Sequence, residues 1–171
     1  MASSLEIAWT PLPGGKYTGK TLPQVLFADP DYFYYLYSPD PRSFSEVRWQ
    51  ADVIAERAKH IAIPPAHGAK QVAEYFLNEG DHRRFEGVVL MPETQKLPLP
   101  VKSKGRKDVF DLSYPRLIAP HDGNAGKRLV EQVKEFVLHD RWLRMNKRLC
   151  EQFYDDPSKF TQFALPAGKI W

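Results

Sequence analysis

The first half of the chain has a hydrophobic pattern that predicts one strand followed by short helices. Residues 5–10, LEIAWT, alternate apolar and polar side chains, which is typical of a strand. A helix capped by Thr21 is predicted next, and Asp29-Pro30 should break it because the residue before a proline disfavours helical geometry. We expect Asp31 to cap a second helix through DYFYYLY.

Residues 44–63 give the clearest amphipathic helix of this half. Their apolar side chains recur in steps of four and three, at positions 47, 51, 54, 58 and 61. The polar face mixes acids and bases, which is typical of a solvated surface. Pro64-Pro65 then marks a boundary. The sequence thus predicts a single domain, residues 1–171, with an N-terminal lobe at about 1–63 and a C-terminal lobe at about 66–171.

The second half predicts a helix, two strands and a last helix. Residues 69–78 indicate a short helix, and residues 85–91 and 108–114 indicate two strands that form an antiparallel hairpin. The long connection between the strands, rich in proline and lysine, is expected to be mobile. Residues 125–154 predict one long or kinked helix. The expected fold is α+β: an N-terminal strand and glycine turn with short helices, a small antiparallel hairpin, and a long C-terminal helix.

Composition narrows the class of protein. With 43% hydrophobic and 13% aromatic residues, the chain should fold rather than stay disordered. The net charge of +3 permits an anionic partner without requiring one. The single cysteine, Cys150, excludes an internal disulfide and fits a reducing cytoplasm. No signal pattern and no apolar run of about 20 residues occur, so we expect a cytoplasmic protein with no membrane partner.

The segment GGKYTGK, residues 14–20, is called here the glycine-lysine turn. Its glycines permit a tight bend in which Lys16 and Lys20 could reach a phosphate and Tyr17 could contact a base or the backbone. A structural hairpin with two solvated lysines is an equally open interpretation. In the aromatic run that follows, most rings should enter the core, and we expect only Tyr17 or Tyr34 to remain exposed for stacking.

The glycine-lysine turn and the segment after it resemble the C-terminal module of exodeoxyribonuclease X-like proteins, which occurs in phage and bacterial proteins associated with nucleases. The resemblance covers about residues 14–63 and is strongest in its first 25 or so residues. The positions that match are Gly15, Lys16, Tyr17, Gly19, Lys20, Leu22, Asp29, Pro30 and Tyr32. The resemblance implies a tendency to engage nucleic acid and no catalytic role, because nothing in the chain looks like the exonuclease domain.

A basic cluster between the two predicted strands is the strongest electrostatic signal. It contains Lys96, Lys102, Lys104, Arg106 and Lys107, and the stretch KSKGRK has no intervening acid. Such a cluster suits a phosphate backbone, although a solvated loop remains an alternative. A second basic group lies near the last helix, at Arg141, Arg144, Lys147 and Arg148. Acids interrupt it downstream, so mixed surface charge is the favoured interpretation there.

Catalytic chemistry finds little support in the sequence. The pairs His121-Asp122 and His139-Asp140 could belong to a metal site only if further ligands converged on them. Cys150 lies within a helical pattern and is better explained by packing. We therefore expect no catalytic residues, no metal site and no cofactor.

The sequence favours a non-catalytic nucleic-acid-binding or nuclease-accessory protein. Its partner would be DNA or RNA, bound with weak sequence preference, because phosphate contacts carry no sequence information. The alternative is a protein–protein interaction module that uses an aromatic surface. Its expected residues are Phe160, Phe163 and Trp171 in the C-terminal tail.

Overall fold

The protein has an α+β fold in a computed structural model, which describes residues 6–37 and 44–166. The helices are α1 (Leu22–Ala28), α2 (Pro30–Tyr37), α3 (Arg48–Ala58), α4 (Tyr114–Ile118), α5 (Ala125–Leu138) and α6 (Lys147–Asp155). The strands are β1 (Ile61–Ala62), β2 (Gln71–Leu77), β3 (Phe85–Pro92), β4 (Gly105–Lys107) and β5 (Val109–Phe110). They form an antiparallel sheet of order β3-β2-β4 and a second pair, β1-β5.

The helix break at Asp29-Pro30 is present, but the predicted cap of α2 is wrong. Asp29 takes that role, since its Oδ1 accepts the backbone N–H of Tyr32 at 3.1 Å. Asp31 points elsewhere. Its Oδ2 accepts the backbone N–H of Gly126 at 2.9 Å, at the amino end of α5. The two acids on either side of Pro30 therefore connect the first helices to different parts of the molecule.

The predicted strand at residues 5–10 is wrong in its described part. Residues 6–10 belong to no strand. Instead, the Gln50 side chain of α3 accepts the backbone N–H of Thr10 at 3.0 Å and donates to the backbone O of Ala8 at 3.2 Å. An amide side chain offers a donor and an acceptor together, so one residue satisfies backbone groups that a partner strand would otherwise pair.

The predicted helix at residues 69–78 is also wrong, because this segment is β2. As the central strand of its sheet, β2 has four consecutive buried residues at 72–75. Both faces are covered, so the strand lacks the alternation that would have identified it. The predicted hairpin of residues 85–91 with residues 108–114 is wrong as well. Strand β3 pairs with β2, whereas β5 pairs with β1 and the chain turns into α4 at Tyr114.

The predicted long C-terminal helix is two helices. Helix α5 ends because His139 adopts a left-handed conformation with φ 59°. Helix α6 begins after Asn146, whose side chain accepts the backbone N–H of Leu149 at 2.9 Å. The connection between these helices carries several basic residues and one exposed tryptophan, and it borders the site described below.

The core contains side chains from both predicted lobes. One cluster of buried residues includes Leu22 and Phe33 from the first helices, Tyr75 from β2, and Phe153 from α6. The five apolar positions of the predicted amphipathic helix, at 47, 51, 54, 58 and 61, are all buried. The helix is shorter than predicted, however, since α3 ends at Ala58 and Ile61 lies in β1. In the part of the chain that the structure describes, no helix has the length and apolarity required to cross a bilayer.

Candidate nucleic-acid interface

The glycine-lysine turn closes on acids and rings of its own chain. The Lys16 ammonium lies 2.7 Å from Asp29 Oδ2, and the Tyr17 hydroxyl donates to the same oxygen at 2.9 Å. Lys16 Nζ also lies 5.2 Å from the Tyr17 ring centroid and 5.6 Å from that of Tyr32. A Cβ on Gly15, where φ is +86°, would approach the Tyr32 hydroxyl at 3.0 Å. These matching positions of the resemblance therefore form one packed cluster.

This cluster offsets the charge of Lys16. Burial raises the pKa of the Asp29 carboxyl, but its hydrogen bonds with Lys16, the Tyr32 N–H and Tyr17 together lower that pKa below its ordinary value. The hydrogen bond with Asp29 raises the pKa of Lys16. Lys20, by contrast, is exposed, and no acid in residues 6–37 or 44–166 pairs with it. The turn thus presents less positive charge than its two lysines suggest.

Tyr34 does not have the predicted exposure. Only 6% of the residue is exposed, and its hydroxyl donates to the backbone O of Ala55 at 3.1 Å. The exposed ring of this run is Tyr35, against which the Arg116 guanidinium carbon lies 5.2 Å from the centroid. On a helix, adjacent aromatics point in different directions, so one neighbour enters the core and the other meets solvent.

The basic cluster divides into bound and unbound members. Arg106 contacts the buried carboxylate of Glu74 and donates to the backbone O of Glu93 at 3.2 Å and of Gln95 at 2.6 Å. Arg106 therefore has a structural role, since it compensates the carboxylate of Glu74 that is buried in the sheet. Lys107 pairs with Asp111 at 2.9 Å. Both of these cations are largely offset within the chain.

The other three lysines lie in an exposed segment, residues 96–104, called here the lysine loop. Lys96, Lys102 and Lys104 are exposed, and the described residues supply no acid that pairs with them. Leu99 projects beside them with 90% exposure. The end of the loop is fixed, because Lys104 N–H donates to the Tyr75 backbone O at 2.7 Å. The lysine loop therefore contains three exposed lysines, and a backbone hydrogen bond holds its last residue to β2.

A basic groove beside α5 was not predicted from the sequence. It has a volume of about 510 Å³ and is called here the α5 groove. Four cations and two acids line it: Arg84, Lys127, Arg128, Arg141, Glu86 and Glu131. These residues come from the start of β3, from α5 and from the segment after α5. No single window of the sequence contains them together, which explains why charge counting did not find the groove.

Two of the four cations have acidic partners and two do not. Arg128 contacts Asp122, and Arg141 lies 3.7 Å from Glu131 and 3.4 Å from Glu135. No acid among the described residues pairs with Arg84 or Lys127. The lining contains four cations against two acids, and Asp122 and Glu135 beside it bring the charges close to balance. Arg84 and Lys127 nevertheless present their charges on a concave surface, where field lines are concentrated.

The walls of the α5 groove are held by backbone contacts. The turn that precedes β3 closes where Asn78 N–H donates to the backbone O of Arg84 at 2.8 Å. The Gln132 amide of α5 accepts Val88 N–H at 2.8 Å and donates to Val88 O at 2.9 Å. Gly87 permits this approach, since a Cβ there would lie 2.6 Å from Gln132 Oε1. The Gln132 side chain of α5 thus occupies backbone groups of β3, and these contacts fix the main chain that carries the cations.

Trp142 lies directly after the last cation of the groove. Its exposure is 78%, and the Arg141 guanidinium carbon lies 5.7 Å from its ring centroid. Sequence reasoning assigned this region to mixed surface charge. The signal that could have identified it is the tryptophan between two arginines, in RWLR at residues 141–144.

The C-terminal aromatic residues do not form the exposed surface predicted for them. Phe160 is buried, and Phe163 is half-buried with the Arg57 guanidinium carbon 3.8 Å from its ring centroid. Trp171 lies outside the described residues. Arg57 is itself fully buried and donates to the backbone O of Ala164 at 3.0 Å. These contacts fasten residues 160–164 to α3.

The candidate catalytic groups of the sequence are the His-Asp pairs, as metal ligands, and the Cys150 thiol, as a nucleophile. Within residues 6–37 and 44–166, no group of three or more His, Cys, Asp or Glu side chains is placed to hold a metal ion. Burial raises the pKa of the Cys150 thiol to about 12, so the thiolate needed for nucleophilic attack is disfavoured.

Comparison with known proteins gives no match to the chain among family models, curated proteins or solved structures.

Proposed function

We propose that this protein binds nucleic acid without catalysing a reaction on it. The observation that carries the proposal is the α5 groove, in which Arg84 and Lys127 line a concave surface with no acidic partner among the described residues. Phosphate oxygens would supply the missing negative charge, and a guanidinium can contact them through two parallel hydrogen bonds. The lysine loop would provide a second contact with the backbone.

The size and chemistry of the groove support a nucleotide segment as ligand. Its volume of about 510 Å³ lies within the range of roughly 300–1,000 Å³ that ligand sites occupy. Its lining is polar and contains four cations and two acids; the two cations without an acidic partner, Arg84 and Lys127, suit phosphate. Since phosphate contacts do not distinguish bases, binding should show weak sequence preference and a steep dependence on salt.

The glycine-lysine turn has a smaller part in this proposal than its resemblance implies. Asp29 offsets Lys16, and only Lys20 remains exposed without an acidic partner in the described chain. The resemblance to the exodeoxyribonuclease X-like module still supports a role beside a nuclease, in a phage or a mobile element. The turn would then hold the fold of the module together, while other surfaces contact the nucleic acid.

The test is a fluorescence-anisotropy titration of labelled single-stranded and duplex DNA and RNA across a salt series. We compare wild type with Arg84→Gln/Lys127→Gln and with Lys16→Gln/Lys20→Gln, which removes the same number of charges from the turn. The groove variant should bind at least about tenfold more weakly, and the slope of log K against log salt should fall by about 0.7–0.9 for each lost phosphate contact. The turn variant should change much less.

Two results would count against this function. If the wild type does not bind any of the four probes at low salt, the protein is not a nucleic-acid-binding protein. If both variants lose the same affinity, only net charge matters and the groove is not the site. Binding to a protein partner that persists in high salt would favour the rival interaction module, for which Tyr35 and Leu117 are two of the well exposed apolar residues.

A further inference from the structure

Trp142 is the most exposed aromatic side chain in the described residues. Its exposure is 78%, whereas Trp9 is buried and Trp49 is 46% exposed. An indole ring carries a large apolar area, which folding normally removes from water. A tryptophan left in solvent beside a charged groove is therefore a candidate for contact with a flat ligand.

The main chain that carries Trp142 is fixed by hydrogen bonds. The Trp142 N–H donates to Asp140 Oδ1 at 2.9 Å, and the Asp140 N–H donates to the Lys134 backbone O at 3.2 Å, which ties the segment back to α5. Arg141, whose guanidinium lies over the ring, is itself held by Glu131 and Glu135. A platform that is already positioned loses little conformational freedom when a ligand stacks on it.

Arg141 joins this platform to the α5 groove. Its side chain lines the groove and also lies 5.7 Å from the Trp142 ring centroid. A strand whose phosphates lie against Arg84 and Lys127 would therefore bring a neighbouring base towards the indole. A cationic groove combined with an aromatic platform is the arrangement that binds unpaired nucleic acid with little sequence preference.

We infer that Trp142 is a stacking platform for an unpaired base, so that the α5 groove selects single-stranded nucleic acid over duplex. This inference rests on the proposed function and adds the class of substrate. In a duplex, neighbouring base pairs cover both faces of each base, so the indole has no free face to contact. A single strand exposes those faces, and its phosphates remain available to the groove.

The test compares a labelled thymidine oligonucleotide with a matched duplex, using wild type, Trp142→Ala, Trp142→Tyr and Trp49→Ala. Trp142→Ala should weaken binding to the single strand by about 5- to 100-fold, which is the range expected for loss of one stacked base, with little change for the duplex. Trp142→Tyr should restore most of the affinity, because a phenol ring still stacks. Trp49→Ala, which removes an exposed tryptophan from α3, should bind like the wild type.

A spectroscopic signature accompanies the affinities. Stacking quenches indole fluorescence, so titration with the unlabelled thymidine oligonucleotide should quench part of the emission of the wild type. That quenching should be lost in Trp142→Tyr, although this variant still binds, and it should persist in Trp49→Ala. Thermal unfolding of each variant checks that the fold is intact.

The outcomes separate this inference from the proposed function. Equal wild-type affinity for both probes, with no effect of Trp142→Ala, would overturn the stacking platform and leave the proposed function standing. Equal losses on both probes would also overturn it, because a general packing role would then explain the effect. A wild type that binds neither probe would overturn both proposals.

Discussion

The glycine-lysine turn and the α5 groove are both basic, and they differ in what surrounds their cations. In the turn, Lys16 lies against Asp29 and two tyrosine rings, all from the same short segment. In the groove, Arg84 and Lys127 come from separate elements, and no described acid reaches them. The comparison teaches that the positive charge available to a ligand depends on where folding places the acids, which a count of lysines does not reveal.

The largest effect should come from reversing the charge of the groove. Arg84→Glu/Lys127→Glu should lower affinity for nucleic acid by about 100-fold or more, because repulsion replaces attraction at two contacts. The single variant Lys16→Glu should cost only a few-fold. Anisotropy at one low salt concentration measures both. Since Arg84 and Lys127 are surface residues, unfolding in urea should shift by no more than about 0.5 kcal/mol per substitution. A stronger effect from Lys16 would reverse the comparison.

The next effect is on stability and belongs to the turn. Asp29→Ala removes the cap of α2 together with the contacts to Lys16 and Tyr17, and should lower the free energy of unfolding by about 1–3 kcal/mol. It should not weaken binding to nucleic acid, because the variant leaves Lys16 without its acid. Urea unfolding gives the first quantity and anisotropy the second. Asp108→Ala, at an exposed acid in the short link between β4 and β5, is the matched control and should change neither by much.

A smaller effect is expected in the dependence of stability on pH. The pKa of Asp29 is lower in the folded protein than its ordinary value of 3.8. Its ionised form therefore stabilises the fold above about pH 4, and this contribution is lost as the pH falls through the folded pKa. Asp29→Asn lacks the contribution, so its deficit relative to wild type should shrink on acidification. Urea midpoints at pH 7, 4 and 3 test this; a deficit that grows towards pH 3 would contradict it.

The smallest effect should come from the lysine loop. Lys102→Ala/Lys104→Ala should weaken binding only a few-fold, since both side chains are exposed, while the salt slope falls by about 0.7–0.9 for each lost contact. The thermal midpoint should not move. A loss as large as that of the groove variant would place the main contact in the loop and would make the groove secondary.

Local signals in the sequence were sufficient for part of the fold. The cap at Thr21, the break at Asp29-Pro30 and the apolar stripe of α3 depend on neighbours in the chain, and the structure has these features. Strand β2 could not be recognised in this way, because its partners β3 and β4 come later in the chain and because both of its faces are buried, which removes the alternation of apolar and polar residues. The end of α5 at His139 depends on one left-handed residue, which the hydrophobic pattern does not indicate.

The candidate site shows the same division. Charge patterning located the lysine loop, whose members are adjacent in sequence. It did not distinguish Arg106, which contacts the buried Glu74, from Lys102, which meets solvent. The α5 groove was missed because Arg84 and Lys127 are 43 positions apart by number (127 minus 84) and meet only after β3 and α5 pack together.

Asp31 has a consequence for how affinity could change during evolution. Its carboxylate already occupies the amino end of α5, where it accepts the N–H groups of Gly126 and Lys127. Under the proposed function, a phosphate at this end of α5 would find these two backbone donors taken and would be contacted by side chains such as that of Lys127. Backbone recognition would tie binding to the exact course of the main chain, whereas side-chain recognition can be raised, lowered or reversed by single substitutions. Under the proposed function, the fold and the affinity for nucleic acid would then be altered by separate sets of substitutions.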